Sequence, residues 1–538
     1  MALLSGFLEV ILKALALIGM ASAVGGVVFC LAVLRPLDSA DMRNAQCLRI
    51  SLILIACGGG LLALAQGMVL LTEPWALADE TGRWPLAEFL ATQFARASLL
   101  HAGMGLSLTA AAICLLKRPD SRYGWLVMTV TMVLLMASGA WLVHAVSHQD
   151  HVVPLMVVTV IHQFGASVWG GGVLHLAALR RPLRSSSRGA CLWPAVVARF
   201  SLLAMLSIGT LLMAALYLSF HYIGDWKGLI GTAYGAIIFT KAALLGIALC
   251  LGALNFYSVR SWMRRGDLHE VSRRAPALIE AEMWTAIVIL FAAAALTSQP
   301  PAVDVLAERA SPTDVWHVFL PKLPQLVPPP RQEMLAHAAS SFDSSALPGA
   351  LDKMQSNFNH NTAGLLVLIT GICAMLDRAG RVRFVRHWPL LFLLLALFLI
   401  LFGEPNGWPL GKEGFWETLI IPDVLQHRLA TLLVVGLALF EWRVRVGGLT
   451  HTHWRFAFPL LCLAGGALLL THSHTAFAVK SEFLIEASHN AIGFLAVEMG
   501  IGRWLELRLP KPVNRLPGLL WTACLMLVGF VLLFYREV

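Results

Sequence analysis

The sequence predicts an all-α fold, a polytopic helical membrane protein of about fourteen transmembrane helices in two bundles of eight and six, with both termini outside the cytoplasm. Three observations carry this reading. The 538 residues are 58% hydrophobic and only 13% charged, a balance that excludes a soluble globular chain. Apolar runs recur from end to end, most of them long enough to cross a hydrocarbon core of roughly 30 Å as a helix. Basic residues alternate between loops: 27 Lys/Arg fall in one alternating set against 9 in the other. That asymmetry marks the cytoplasmic side, and a missed span would scramble it.

Taken in order, the spans lie at about 7–34, 50–72, 96–116, 123–146, 154–179, 200–222, 233–258, 277–298, 361–376, 388–403, 424–442, 456–471, 484–503 and 517–535. The first has span length and no small-residue cleavage site, so it is expected to stay in the protein. A loop rich in proline, serine and alanine, Gln299–His360, separates the two halves. Three parts follow: a membrane domain at 1–298, an extracytoplasmic linker at 299–360 and a histidine-containing membrane domain at 361–538. Within the linker, Pro312–Leu347 has room for a short amphipathic helix.

The net charge of +9 belongs to cytoplasmic loops and does not indicate nucleic-acid binding. Nine cysteines form no CxxC pair and mostly sit in apolar runs, so neither a disulfide framework nor a thiolate metal site is indicated. No Walker A sequence, HExxH, GxSxG or CxxCH occurs. A nucleotide-driven pump, a hydrolase and covalent haem therefore have no sequence support.

The most ordered stretch runs from Arg199 to Arg260. Two apolar runs, Phe200–Tyr222 and Ala233–Tyr257, flank the polar turn HYIGDWKGLIGT, and arginines close both ends. Lys241 interrupts the second run. A charge at that depth costs a few kcal/mol, so it is expected to face the bundle interior as a transport-path residue, or to snorkel. The words RFS…SIGT, GTAYG, TK and LGALN in this stretch, with IHQFGASVWGGGVLHL before it, resemble the copper-resistance D (CopD) family of bacterial inner membranes. The resemblance covers roughly residues 1–300. It implies copper uptake across the cytoplasmic membrane in the company of periplasmic copper-binding proteins. Phe256 stands after Asn255 where the resemblance leads one to expect a basic residue. The words PDVLQHRL, LFEWR, THSHTAFAVKSEFLIEASHN and RWLELR resemble the C-terminal extension of long CopD-type proteins.

Eighteen histidines are the unusual feature of the composition. Sorted by side, thirteen fall outside or within the membrane and five inside, the distribution a collector of extracytoplasmic metal would have. Imidazole is a common ligand for copper, and carboxylates can join it. One candidate set is His144, His148 and His151, spaced to share a helical face if the fourth span continues past the bilayer. His101 and Met104 stand at the outer end of the third span, where a thioether beside imidazole favours reduced copper. A second set combines His472, His474, His489, His427 and His360 with Asp423 and Glu486, from the ends of several spans. Its alternative is a structural hydrogen-bond network with Arg428 or Lys480 as the cation. His162, beside Gly170–Gly172, is either a helix–helix hydrogen bonder or part of the ion route.

The function expected is transport of copper ions, Cu(I) or Cu(II), with uptake implied by the resemblance, by a non-enzymatic protein whose partners are lipid, copper and a periplasmic copper-binding protein. Two other readings stay open. One is a haem b electron carrier using His101 with His162 or His427 with His489. The other is a copper-binding sensor or assembly partner without transport.

Overall fold

The computed structural model describes residues 2–37, 42–142, 151–184, 187–266, 268–330, 332–333, 349–380, 382–404, 407–471 and 479–537. Thirteen of its segments are long and apolar enough to cross a membrane. One more helix, Val479–Arg508, has 30 residues and is about 45 Å long at 1.5 Å per residue. Charged residues including Glu486, Glu498 and Arg503 punctuate it, so length alone qualifies it. The chain forms two compact units, Met1–Gly224 with Lys241–Gln299, and Asp225–Thr240 with Pro300–Val538.

Unit 1 contains α1 (Ala2–Met20), α2 (Met42–Thr81), α3 (Gln93–Lys117), α4 (Arg122–Gly139), α5 (Val152–Arg184), α6 (Ser187–Ile223), most of α7 (Ala233–Arg265) and α8 (Ala275–Leu296). Thr92 and Ser121 start α3 and α4 as side-chain caps, each accepting a backbone N–H of the first turn. After Met20 the first helix continues through two π-helical turns, Ala21–Gly25 and Cys30–Leu34. Its wider turns press against α5, where a Cβ on Gly171 would lie 1.8 Å from the Ala21 carbonyl oxygen. Only glycine permits that approach, which is the use the WGGG word finds. The core gathers Phe29, Trp125, Trp193 and Phe200. Several of its buried polar groups are paired across helices. Trp169 Nε1 donates to Glu282 Oε1 at 3.0 Å, His175 Nε2 donates to the Ser22 carbonyl at 3.0 Å, and Arg180 pairs with Glu280.

Unit 2 contains α9 (Ala350–Arg378), α10 (Leu391–Phe402), α11 (Pro422–Arg445), α12 (Ala457–Leu470), α13 (Val479–Arg508) and α14 (Arg515–Leu533). Helix α9 begins at Ala350, well before the expected 361. Its polar first turns, ALDKMQSNFNH, read as loop by hydropathy, yet the Gly349 N–H donates to Asp352 at 2.9 Å and starts the helix. In the linker, Pro312–Phe319 is helical behind a Ser311/Asp314 capping box. Helices α9 and α14 run antiparallel with their backbones in contact. A Cβ on Gly364 would meet Leu533 N at 2.2 Å, and one on Gly529 would meet Leu368 N at 2.4 Å.

The arginine-rich end of unit 2 is closed by a buried ionic network. Glu441 has no exposed side-chain surface and accepts from Arg445 Nε at 2.9 Å and Arg503 Nη2 at 2.8 Å. Arg503 Nη1 reaches Glu506 Oε2 at 2.7 Å, and Trp521 Nε1 donates to the same oxygen at 2.6 Å. Arg378 pairs with Glu506 and Arg445 with Asp377. The Arg445 guanidinium also lies 4.8 Å from the Trp388 ring centre.

Candidate functional site

At the opposite end of unit 2, three helices bring two imidazoles and a phenol together. His360 projects from α9 and His489 from α13, with ring centres 5.7 Å apart and nearly perpendicular. The Tyr535 ring, just past α14, lies 4.0 Å from His360 and 6.1 Å from His489. Each histidine uses its Nδ1 on its own helix: His360 on the Ser356 carbonyl at 2.8 Å, His489 on the Ile485 carbonyl at 2.9 Å. A carbonyl oxygen only accepts, so Nδ1 carries the proton. In the neutral ring the lone pair is then on Nε2, the tautomer a metal ligand requires. His427 on α11 repeats the arrangement with a carboxylate, its Nδ1 2.7 Å from Glu404 Oε1. Histidine ligands in metal sites are commonly oriented by such a second hydrogen bond.

Residues 535–537 are stitched to α9. The Ser356 hydroxyl donates to Glu537 Oε2 at 2.6 Å, and the Tyr535 hydroxyl donates to the same oxygen. The Glu537 N–H donates to Asn357 at 2.8 Å, Asn361 Nδ2 to the Tyr535 carbonyl at 3.0 Å, and Arg536 Nη1 to Asn361 Oδ1 at 2.9 Å. Burial, and then the Glu537 carboxylate, push the Tyr535 phenol well above its ordinary pKa. It therefore stays neutral beside His360.

The other expected site residues fall as follows. His144, His148, His472 and His474 lie outside the described residues, and so does the side chain of Asp423. Glu486 is buried on α13, one turn before His489. His151 immediately precedes α5, so it is not carried on a prolonged fourth span. Its ring centre is 6.0 Å from that of His221, and its φ of 59° places it in the left-handed region. His101 is buried with Nδ1 2.9 Å from Ser138 Oγ. That hydroxyl donates to Leu135 O at 2.8 Å, so His101 is the donor and keeps its Nε2 lone pair. Met104 packs against the unit 1 core. His162 Nδ1 is 3.3 Å from the Leu211 carbonyl, and Lys241 is near enough to act on its charge.

Among the described residues, no three or more His, Cys, Asp or Glu side chains are grouped to hold a metal ion; two histidine pairs, His360–His489 and His151–His221, come together. Neither expected cation joins the His360–His489 pair. Arg428 lies over the Phe415 ring at 4.2 Å and donates to Thr418 at 2.7 Å, and Lys480 pairs with Asp314 at 2.7 Å. Sequence reasoning missed Tyr535, Glu537 and Glu404. The only signal for the first two was a polar YREV ending after a long apolar run.

Long apolar helices with polar groups gathered at their ends define a multi-pass helical membrane protein. Residues 194–296 match the family model described as Copper resistance protein D. That segment, about a fifth of the chain, is what is similar to the CopD family. It is 29% identical over 185 residues to the Copper transport protein CutJ of Bacillus subtilis (strain 168), a match covering 34% of this chain and 32% of that protein. The chain thus matches about a third of the relative's length. No solved structure matches it. The protein is a multi-pass component of the bacterial cytoplasmic membrane.

Proposed function

We propose that this protein carries copper ions across the bacterial cytoplasmic membrane, inward, with capture at the histidine end of unit 2. The observation that carries the reading is the His360–His489 pair. Two imidazoles from different helices meet at 5.7 Å, each with Nδ1 committed to a carbonyl of its own helix, which puts the neutral ring in the Nδ1–H tautomer. Paired neutral imidazoles suit copper. The CopD segment and the likeness to a copper transport protein point to the same cargo. In this reading His427, held by Glu404, flanks the pair. His472 and His474, in the connection leading to α13, join it with Asp423 and Glu486. His144, His148, His151, His101 and Met104 form a second capture region, and His162 and Lys241 line the route through the 1–298 domain. The 299–360 linker separates that domain from the 361–538 domain, and a periplasmic copper-binding protein delivers the ion.

The test is copper binding by the purified protein in competition with a Cu(I)-specific chelator, alongside copper accumulation in cells. His360→Ala/His489→Ala is expected to weaken binding at least tenfold and to lower accumulation. Unchanged binding and accumulation refute the reading. A Soret band in the purified protein would favour haem instead.

A further inference from the structure

We infer that Glu498 and Cys524 form a second, intramembrane site for a soft monovalent cation, Cu(I), midway along unit 2. The inference rests on the copper reading above and concerns residues that reading does not use.

The pairing of α13 with α14 places the two groups. At one end the His489 and Tyr535 rings are neighbours at 6.1 Å. At the other, a Cβ on Gly502 would lie 3.0 Å from Trp521 Cβ and from the Pro517 carbonyl, and Trp521 Nε1 bonds Glu506. The helices are therefore antiparallel neighbours along this length. Glu498 lies one turn before Gly502, on the stripe that continues to Glu506. Cys524 lies one turn after Trp521, on the stripe that faces α13. Both stand at the same level, and the Glu498 carboxylate is near enough to act electrostatically on the Cys524 thiol. Nine residues separate Glu498 from His489 and eight separate it from Glu506, about 13 Å and 12 Å of helix. The pair thus sits near the middle of a hydrocarbon layer of roughly 30 Å.

One oxygen of the Glu498 carboxylate is left unsatisfied. Its Oε1 is shut off from the surface and has no hydrogen-bond partner among the described residues. Such a group inside a membrane bundle is costly unless something occupies it, and it marks an ion or proton site by default. A cysteine alone is more often a small apolar filler; the carboxylate beside it, with one oxygen unpartnered, separates this site from that bland reading. Further toward the arginine-rich end, the Thr522 hydroxyl donates to Met375 Sδ at 3.5 Å, so another sulfur donor lies beyond the pair.

The chemistry balances without any change of oxidation state. Cu(I) enters beside a thiol and a carboxylate. The S–H bond breaks, an S–Cu bond forms, and the released proton goes to Glu498 Oε1. The summed charge of carboxylate, thiol and Cu(I) is zero before the step. It is again zero afterwards, as carboxylic acid and copper thiolate. A neutral assembly is what a low-dielectric interior tolerates.

The test is copper stoichiometry and copper-edge X-ray absorption on the full-length protein in detergent, loaded with chelator-buffered Cu(I). The wild type is expected to show a copper–sulfur shell that Cys524→Ser abolishes, with the loss of one equivalent. Glu498→Gln is expected to weaken that equivalent at least tenfold, and Glu498→Asp to restore part of it. His360→Ala/His489→Ala should leave the sulfur shell in place. Copper bound through nitrogen alone in the wild type, or a sulfur shell that survives Cys524→Ser, overturns the site and leaves the histidine pair standing. Copper bound only through sulfur keeps this site and removes the histidine capture site. No copper bound at all overturns both.

Discussion

Replacing Glu441 by leucine should destabilise unit 2 severely, and the size of the effect follows from what is left behind. Glu441 is the shared acceptor of Arg445 and Arg503, at 2.9 and 2.8 Å. Their side chains are only 15% and 9% exposed. Arg445 retains Asp377 and Arg503 retains Glu506, but the network is then one negative charge short in a buried setting. Breaking a buried pair from one side costs about 3–5 kcal/mol. At about 2–4 °C per kcal/mol for a domain of this size, Glu441→Leu should lower the unfolding midpoint by about 6–20 °C. The double variant Glu441→Leu/Arg503→Met removes one charge of each sign. It leaves Glu506 with Arg378 and Arg445 with Asp377, and should recover a large part of that loss. The assay is thermal unfolding of the four cycle members in one detergent, followed by a thiol-reactive dye or light scattering. A single variant within about 2 °C of wild type, or a double variant that loses the sum of the two singles, refutes the claim that these charges act as a unit.

Three further outcomes follow. Gly171→Leu sets a side chain where even a Cβ would be 1.8 Å from the Ala21 carbonyl, so it should abolish accumulation of folded protein, read by fluorescence-detected size exclusion. Tyr535→Ala removes a buried ring 4.0 Å from His360; it should weaken copper binding in chelator competition and, as truncation of a buried aromatic costs about 3–5 kcal/mol, lower the unfolding midpoint as well. Asp314, pulled to about 2 chiefly by its bond to Lys480, contributes stability that is present above its ordinary carboxyl pKa and lost as pH falls toward the lowered one. The midpoint difference between wild type and Asp314→Asn should accordingly shrink from pH 6 toward pH 3, both values being about one to two units either side of the ordinary Asp pKa.

How far the sequence carries one can be followed residue by residue. Spans are legible because hydropathy and the loop distribution of Lys/Arg are local signals. Helix α13 was legible as a long helix despite its charges because apolar runs separate them through Leu484–Arg503. His360 and His489 could be singled out because both stand at span ends on the side where histidine accumulates. Their meeting with Tyr535 could not. It depends on α9 and α14 lying antiparallel with Gly364 against Leu533, a contact between residues far apart in the chain. The same holds for Glu441. The words LFEWR and RWLELR were visible, but only the packing of α11 on α13 shows that Arg503 completes the shell of a glutamate from another helix. Hydropathy also cut α9 short, since ALDKMQSNFNH is polar by composition and helical by capping.

The network at the arginine-rich end holds three arginines and three carboxylates, Arg378, Arg445 and Arg503 against Asp377, Glu441 and Glu506. Topogenesis reads these arginines before the helices have met, when acidic neighbours count for little. Once the bundle closes they are neutralised in place. In the folded protein this network thus shows the membrane potential far less fixed charge than the same arginines showed the insertion machinery in the nascent chain.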